Sequence, residues 1–224
     1  MLDEVEKRND PLFTRQVFEQ VLLEIAKRLN TVQVIYSIPK RVSLQQTISL
    51  IENFLSVQSG GDRVLAATSA LLETIGKCFN LFTVKRANIN ASDASSGMVA
   101  DIECIDGQGK VVLAVEVKDK ELTVNHIKDK LPGLRAGRIS EILFIAQKGI
   151  NQDEIEGVIT LLGREFSSGQ NIYVFNLIRF TESLLALIGE NGRRDFLETV
   201  GTHLDKYGSA LQHRKTWAAL LSKI

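Results

Sequence analysis

Gly97–Lys120 reads GMVADIECIDGQGKVVLAVEVKDK, and the rest of the chain is organised around it. An apolar run carrying one acid, Asp101, leads into the turn residues Asp106-Gly107-Gln108-Gly109-Lys110. A β-branched run follows and ends in Glu116-Val117-Lys118. Two strand-forming runs joined by a short Gly-containing segment are the pattern of a β-hairpin. Side chains alternate along a strand, so Val111, Leu113, Val115 and Val117 are expected on one face. Val112, Ala114, Glu116 and Lys118 are expected on the other. Burying a carboxylate or an ammonium is costly unless it is paired or binds a metal. Three charged groups set in so apolar a hairpin therefore mark a candidate site.

Whether Asp101 and Glu116 meet depends on the hairpin register. A register that sets Asp101 opposite Glu116, Glu103 opposite Ala114 and Asp106 opposite Val111 leaves Gly107–Lys110 as a four-residue loop. Directly opposite Cβ atoms lie about 4.5–5.5 Å apart, close enough for two carboxylates to share one cation. The neighbouring register leaves a three-residue loop and turns Asp101 to the other face; a bulge would restore it. The first register is expected, or a bulged equivalent that still joins the two carboxylates, with Lys118 beside them.

Outward from the hairpin the periodicity is clear. Residues 11–29 and 43–57 have helical apolar spacing, separated by the β-branched stretch 31–38. After the break Ser59-Gly60-Gly61, Asp62 is the expected cap of a helix running to about Cys78. Residues 81–85 read as a strand. Leu122–Arg135 reads as a helix bent or ended near Pro132. Glu141–Gln147 and Asn171–Leu177 read as strands, with a helix over 153–167 between them. Helices are expected from Thr181 to near Gly189, over 193–207 and over 211–224. The order αβββαβαβα suits an α/β fold: a mixed β-sheet flanked by helices, with helical N- and C-terminal extensions. The expected division is a helical layer at 1–58, a core at 59–180 and a helical extension at 181–224, packed as one domain.

A chain of 224 residues with 44% hydrophobic and 24% charged residues is ordinary for a soluble globular protein. It has no apolar run of the roughly 18 residues that a membrane span needs. The acidic, polar start does not read as a signal peptide. Cys78 and Cys104 lack metal-binding spacing and read as buried reduced thiols, so a cytoplasmic location is expected. The 27 basic and 27 acidic residues cancel, so any nucleic-acid contact must come from local basic patches. There is no phosphate-binding Walker loop, no Gly-x-Ser-x-Gly, no zinc spacing and no dinucleotide-binding glycine fingerprint.

The spacing Asp101…Glu116-x-Lys118 within this element order resembles the PD-(D/E)xK nucleases, with Ala100 where the proline usually stands. Across 59–176 the sequence is also similar to restriction endonucleases of the SacI family. That similarity rests on SGGDRVLAATSALLETIGK, INASDASSGMVADIEC, AVEVKDKELTVNHIKDKLP and GQNIYVF. The resemblance implies a restriction-endonuclease-like fold and a sequence-specific type II endonuclease acting on double-stranded DNA. It implies Asp101, Glu116 and Lys118 as catalytic residues. Asp101, Glu116 and the Val117 carbonyl would hold Mg²⁺, a hard cation that takes oxygen ligands. Some nucleases of this fold draw an extra acid from the helix before the hairpin, and Glu73 is the candidate; the other reading is a solvated helix glutamate. It further implies a homodimer matched to a palindromic site and a protecting DNA methyltransferase. Two alternatives remain: a structure-specific repair or recombination nuclease of the same fold, and a non-catalytic nucleic-acid- or protein-binding module.

For DNA contact, residues 86–97 are rich in short polar side chains and read either as a surface loop or as a base-reading segment. Asn88, Asn90, Ser92 and Ser95 would bond base edges, and Lys85 and Arg86 would hold phosphate. Lys128 and Lys130 are either phosphate clamps or solvated charge. The base-reading alternative has a direct check. An Asn88→Ala/Asn90→Ala double variant should lower the ratio of cognate to scrambled duplex affinity by about 1–3 kcal/mol per lost bidentate contact. Competition binding measures this, and an unchanged ratio removes the segment from the reading surface.

Overall fold

A computed structural model describes residues 2–8, 10–87 and 97–224. The chain divides into two compact units, residues 1–35 and 36–224. The first holds α1 (Leu2–Arg8) and α2 (Pro11–Val32). The second opens with α3 (Leu44–Leu55), started by a reciprocal capping box between Ser43 and Gln46. Then come α4 (Asp62–Phe79), β1 (Thr83–Arg86), β2 (Ile102–Ile105), β3 (Val111–Lys118), α5 (Val124–Ala136), β4 (Glu141–Ala146), α6 (Ile155–Ser167) and β5 (Asn171–Asn176). It closes with α7 (Leu177–Leu187), α8 (Gly189–Lys206) and α9 (Leu211–Leu221). No helix among the described residues is long and apolar enough to cross a membrane.

The five strands form one mixed sheet in the order β1-β2-β3-β4-β5. β1–β2 and β2–β3 are antiparallel, whereas β3–β4 and β4–β5 are parallel. Parallel neighbours need crossovers, and α5 and α6 supply them. Each strand face buries a separate core. Ile102, Cys104, Val115, Leu143 and Ile145 pack with α3, α4, α7, α8 and α9. Ala114, Ile142, Phe144, Ala146 and Ile172 pack with Ile127, Leu131 and Leu134 of α5 and with Val158 and Leu161 of α6. Trp217 is fully buried, edge-on to Phe54 at 4.8 Å between centroids, and its indole N–H donates to the Leu197 carbonyl. Burial of strand residues on both faces accounts for the unbroken apolar run in β4.

Several boundaries differ from the sequence reading, and three of them have a clear physical reason. Gly61, in the left-handed region at φ +90°, caps α4, and Asp62 lies inside the first turn with its carboxylate turned into the protein. Helix α5 runs on through Pro132 to Ala136, because Ile127, Leu131 and Leu134 anchor both of its halves to the sheet. Helix α7 begins at Leu177, before Thr181, because the Asn176 side chain accepts the Arg179 N–H at 3.2 Å and caps it as β5 ends.

The hairpin combines both expected registers. Ile102 pairs with Val115, Glu103 with Ala114 and Cys104 with Leu113, but Ile105 pairs with Val111. The Asp106 N–H donates to the Lys110 carbonyl at 2.9 Å, so the loop is Gly107-Gln108-Gly109, three residues rather than four. The Asp106 side chain accepts the N–H groups of Gln108 and Lys110, each at 2.9 Å, and Gly109 supplies φ +82°. Val112 is the extra residue of a bulge. It joins Leu113 against the α3/α4 core, and Val111 goes to the α5/α6 side, opposite to its expected face.

The bulge predicts an asymmetry between deletions. Removing Val112 leaves a regular hairpin with every later side chain on its present face, at a cost of about 1–3 kcal/mol for its lost burial. Removing Ala114 swaps the faces of Val111–Leu113 relative to the rest and should abolish cooperative unfolding. Urea melts of the two variants distinguish them.

Candidate active site

Beyond the Ile102–Val115 pair, the next residues in register are Asp101 and Glu116. β2 has ended there, and the Asp101 side chain does what a further strand residue would have done. Its Oδ2 accepts the Val117 N–H at 2.8 Å. The chain entering the site is fastened on both sides. The Ala87 N–H donates to the Asp101 carbonyl at 2.9 Å, and Glu103 Oε1 accepts the Val99 N–H at 2.9 Å. Glu103 is buried on the same sheet face as Glu116, and sequence reasoning missed its part in setting Asp101. In a strand, one residue's N–H and C=O point to the same side. The Lys118 carbonyl accepts from Gln147 on the β4 side. That alternation turns the Val117 carbonyl toward Asp101, past the end of β2.

Glu116 is fully buried, in register with Phe144 of β4. Lys118 Nζ donates to its Oε2 at 3.4 Å. Lys130 Nζ, reaching from α5, lies 3.2 Å from Oε1. Oε1 is a buried carboxylate oxygen whose described partner is this ion pair. Burial, with the Asp101 charge added, pushes the Glu116 carboxyl up to about 7 against the pull of Lys130 and Lys118. An anionic oxygen in that position is suited to a cation. Mg²⁺ needs only one or two carboxylates, with water and phosphate completing its shell. Asp101, Glu116 and the Val117 carbonyl fit that requirement. Among the described residues, no cluster of three or more His, Cys, Asp or Glu side chains is placed to hold a metal ion.

The other sequence candidates fall in different places. Glu73 lies on α4, where Lys77 Nζ at 2.5 Å and His203 Nε2 at 2.8 Å engage its carboxylate. Burial raises its pKa, but those partners outweigh it and hold the carboxyl below its ordinary value. Arg86 requires a correction. Its side chain is fully buried, with Nη2 3.2 Å from Asp62 Oδ1 and its guanidinium 4.7 Å over the Tyr207 ring. A guanidinium sealed in this way does not reach a phosphate. Lys85, its neighbour on β1, points to the other face and is exposed. Asn88, Asn90, Ser92 and Ser95 lie outside the described residues. Lys128 is exposed on α5, whereas Lys130 turns to Glu116. The signal was available: Lys130 follows Ile127 by three residues and precedes Leu131 by one, so it borders the buried stripe. His126 is the third residue of a capping box, its Nδ1 accepting the Thr123 N–H at 3.1 Å.

Paired carboxylates at the meeting point of a hairpin and a parallel strand lie on a mixed sheet covered by helices, in a protein of the α/β class. Residues 41–149, just under half of the chain, match the family model described as SacI restriction endonuclease C-terminal domain. The matched stretch contains Asp101, Glu116, Lys118 and Lys130. It supports a restriction-endonuclease-like family. No curated protein matches the chain.

The raised Glu116 value makes a signed prediction. A carboxyl whose folded-state pKa lies above its unfolded value costs the fold stability as pH climbs from the ordinary carboxylate range through about 7. Glu116→Gln, which mimics the neutral acid, should therefore gain about 1–3 kcal/mol over the parent at pH 8. The gain should vanish at pH 4. Thermal melts across that range measure it, and a variant less stable than the parent at pH 8 contradicts the burial argument.

Proposed function

We propose that the protein is a type II restriction endonuclease of the PD-(D/E)xK kind, hydrolysing phosphodiester bonds of double-stranded DNA with Mg²⁺. The observation that supports this reading is the register that carries Asp101 and Glu116 past the Ile102–Val115 pair, with the Glu116 carboxylate fully buried between Lys118 and Lys130. The match over residues 41–149 supports the restriction-enzyme part of it. Asp101, Glu116 and the Val117 carbonyl would hold the ion. When bound, Mg²⁺ polarises the phosphate and lowers the pKa of a coordinated water.

The remaining work belongs to the chain. Lys118, fixed on Glu116 Oε2, presents its ammonium at the site, where it orients the attacking water and offsets charge gathering on the phosphoryl oxygens. The Val117 N–H fixes Asp101, so the two carboxylates are positioned before substrate arrives. Water oxygen bonds to phosphorus as the bond to the leaving sugar oxygen breaks. Buried apolar residues around Glu116 keep other water out and strengthen each of these interactions. Cutting both strands takes two such sites, so the reading includes a homodimer on a palindromic sequence and a methyltransferase that protects it.

Plasmid digestion tests the proposal. With Mg²⁺ the purified protein should give discrete fragments, and with chelator none. Asp101→Ala, Glu116→Ala and Lys118→Ala should each lower the rate at least about 100-fold while remaining folded. Folded variants that cut at near the parental rate would refute the assignment.

A further inference from the structure

The two edges of the sheet are unlike. β1 has four residues, Thr83–Arg86, and carries the exposed Lys85. β5 has six, Asn171–Asn176, with no charge, no proline and no bulge. Those are the devices that keep an open edge from pairing. The Asn171 N–H donates to the Ser140 carbonyl beside β4, so the backbone groups of Ile172 and Val174 point outward. Among the described residues, no backbone group meets them on that side.

Helix α6 adds a second unpartnered feature. Val158, Leu161 and Glu165 are its buried face. Ile155, Ile159, Leu162 and Phe166 follow the i, i+4, i+7, i+11 spacing of one stripe, about a quarter-turn round from that face. Ile159 is 62% exposed and Phe166 67%. A Cβ at Gly157 would lie 3.1 Å from Val124 Cγ2, so the opposite flank of α6 is the one that meets α5. The apolar stripe therefore faces away from α5, above the free edge of β5. On the other face of that edge, Tyr173 is 39% exposed and Phe175 43%.

We propose that this edge docks a second copy of the chain across a two-fold axis perpendicular to the sheet at Val174. Rotation about such an axis pairs β5 antiparallel with its own copy and keeps each face of the sheet on its own side. Val174 then exchanges backbone bonds with Val174 of the copy, and Ile172 with its Asn176. Tyr173 lies opposite Phe175 of the copy as a cross-strand aromatic pair. Because α6 packs over β4 and β5, the spacing between strands sets the two α6 axes about 10 Å apart. Helices pack at that separation, so stripe meets stripe. One rotation satisfies strand edge and helix stripe together, as a self-complementary contact requires. The four exposed side chains offer on the order of 400 Å² per protomer. Doubled across the two-fold, and joined by Ile155, Leu162 and the strand backbone, this approaches the roughly 1,200 Å² at which specific interfaces begin. The surface is defined by β5 and α6 alone, independently of the proposed function.

Sedimentation equilibrium of the full chain, from about 1 to 100 µM, tests this. The parent should dimerise within that range. Ile159→Glu and Phe166→Glu replace exposed side chains, so the monomer folds, and each should weaken the dimer at least about 100-fold by burying a carboxylate. Val174→Pro removes an N–H that points away from β4 and should weaken it as strongly. Phe79→Glu, at an exposed apolar position just before β1, should leave dimerisation unchanged. In the parent, hydrogen exchange at the Ile172 and Val174 amides should slow as the dimer forms. A parent that stays monomeric to about 100 µM overturns the proposal. So does a dimer that survives either Val174→Pro or the two glutamate variants. Slow exchange at both amides in a monomer would assign the cover of β5 to the chain itself and overturn it too.

Discussion

The pairing of Ile102 with Val115 is the constraint on which the candidate site depends. Strand side chains alternate, so this pair, both buried in the α3/α4 core, obliges the next residues on each strand to face α5. Those residues are Asp101 and Glu116. Burying Ile102 and Val115 is favourable by about 1.5–3 kcal/mol each, so the core itself enforces the meeting of two acids that repel one another. The Val112 bulge lets this register coexist with a tight three-residue turn. Turn chemistry and core burial each demand a different count, and the extra residue satisfies both.

Electrostatics then shapes what the site can do. A fully buried carboxylate beside a second one is unfavourable, and the raised Glu116 value expresses that cost. Two lysines reduce it without removing it. The chain as a whole has no net charge to draw DNA toward the site. On α5, Lys128 is exposed, whereas Lys130 is paired with the Glu116 carboxylate. The same geometry that stabilises Glu116 thus places positive charge beside it.

On the opposite face a second polar assembly does structural work. Asp62 Oδ1 accepts from Arg86 and from Ser209 Oγ at 2.7 Å, and its Oδ2 meets His213 Nδ1 at 2.8 Å. His203 stacks on Tyr207 and bonds Glu73. These contacts join α4, β1, α8 and α9 just before residue 88 and fix the strand that leads toward Asp101. Arg86 is thereby a clamp between strand and helices, its Nη2 on Asp62 and its guanidinium plane over the Tyr207 ring.

Element order, strand periodicity and the hairpin were legible in the sequence because each is a local pattern: a glycine turn, β-branched alternation, helical spacing around Ile127 and Leu131. The register beside Asp101 and Glu116 was legible too, since the turn allowed two registers and the acids meet in one of them directly and in the other through a bulge. A bulge was legible as one way to reconcile the two, but its place at Val112 was not, because it settles a competition between the Asp106 turn and burial of Ile102 that no single stretch encodes. Nor were the partners of Arg86 and Lys130. Both are long cations whose employment is set by what lies across the fold: Asp62 and Tyr207 for one, Glu116 for the other. Sequence fixes which charges exist and which face of an element they border. Only the packed sheet and helices bring opposite charges within a few ångströms in a low dielectric, where such contacts become strong enough to decide a side chain's role.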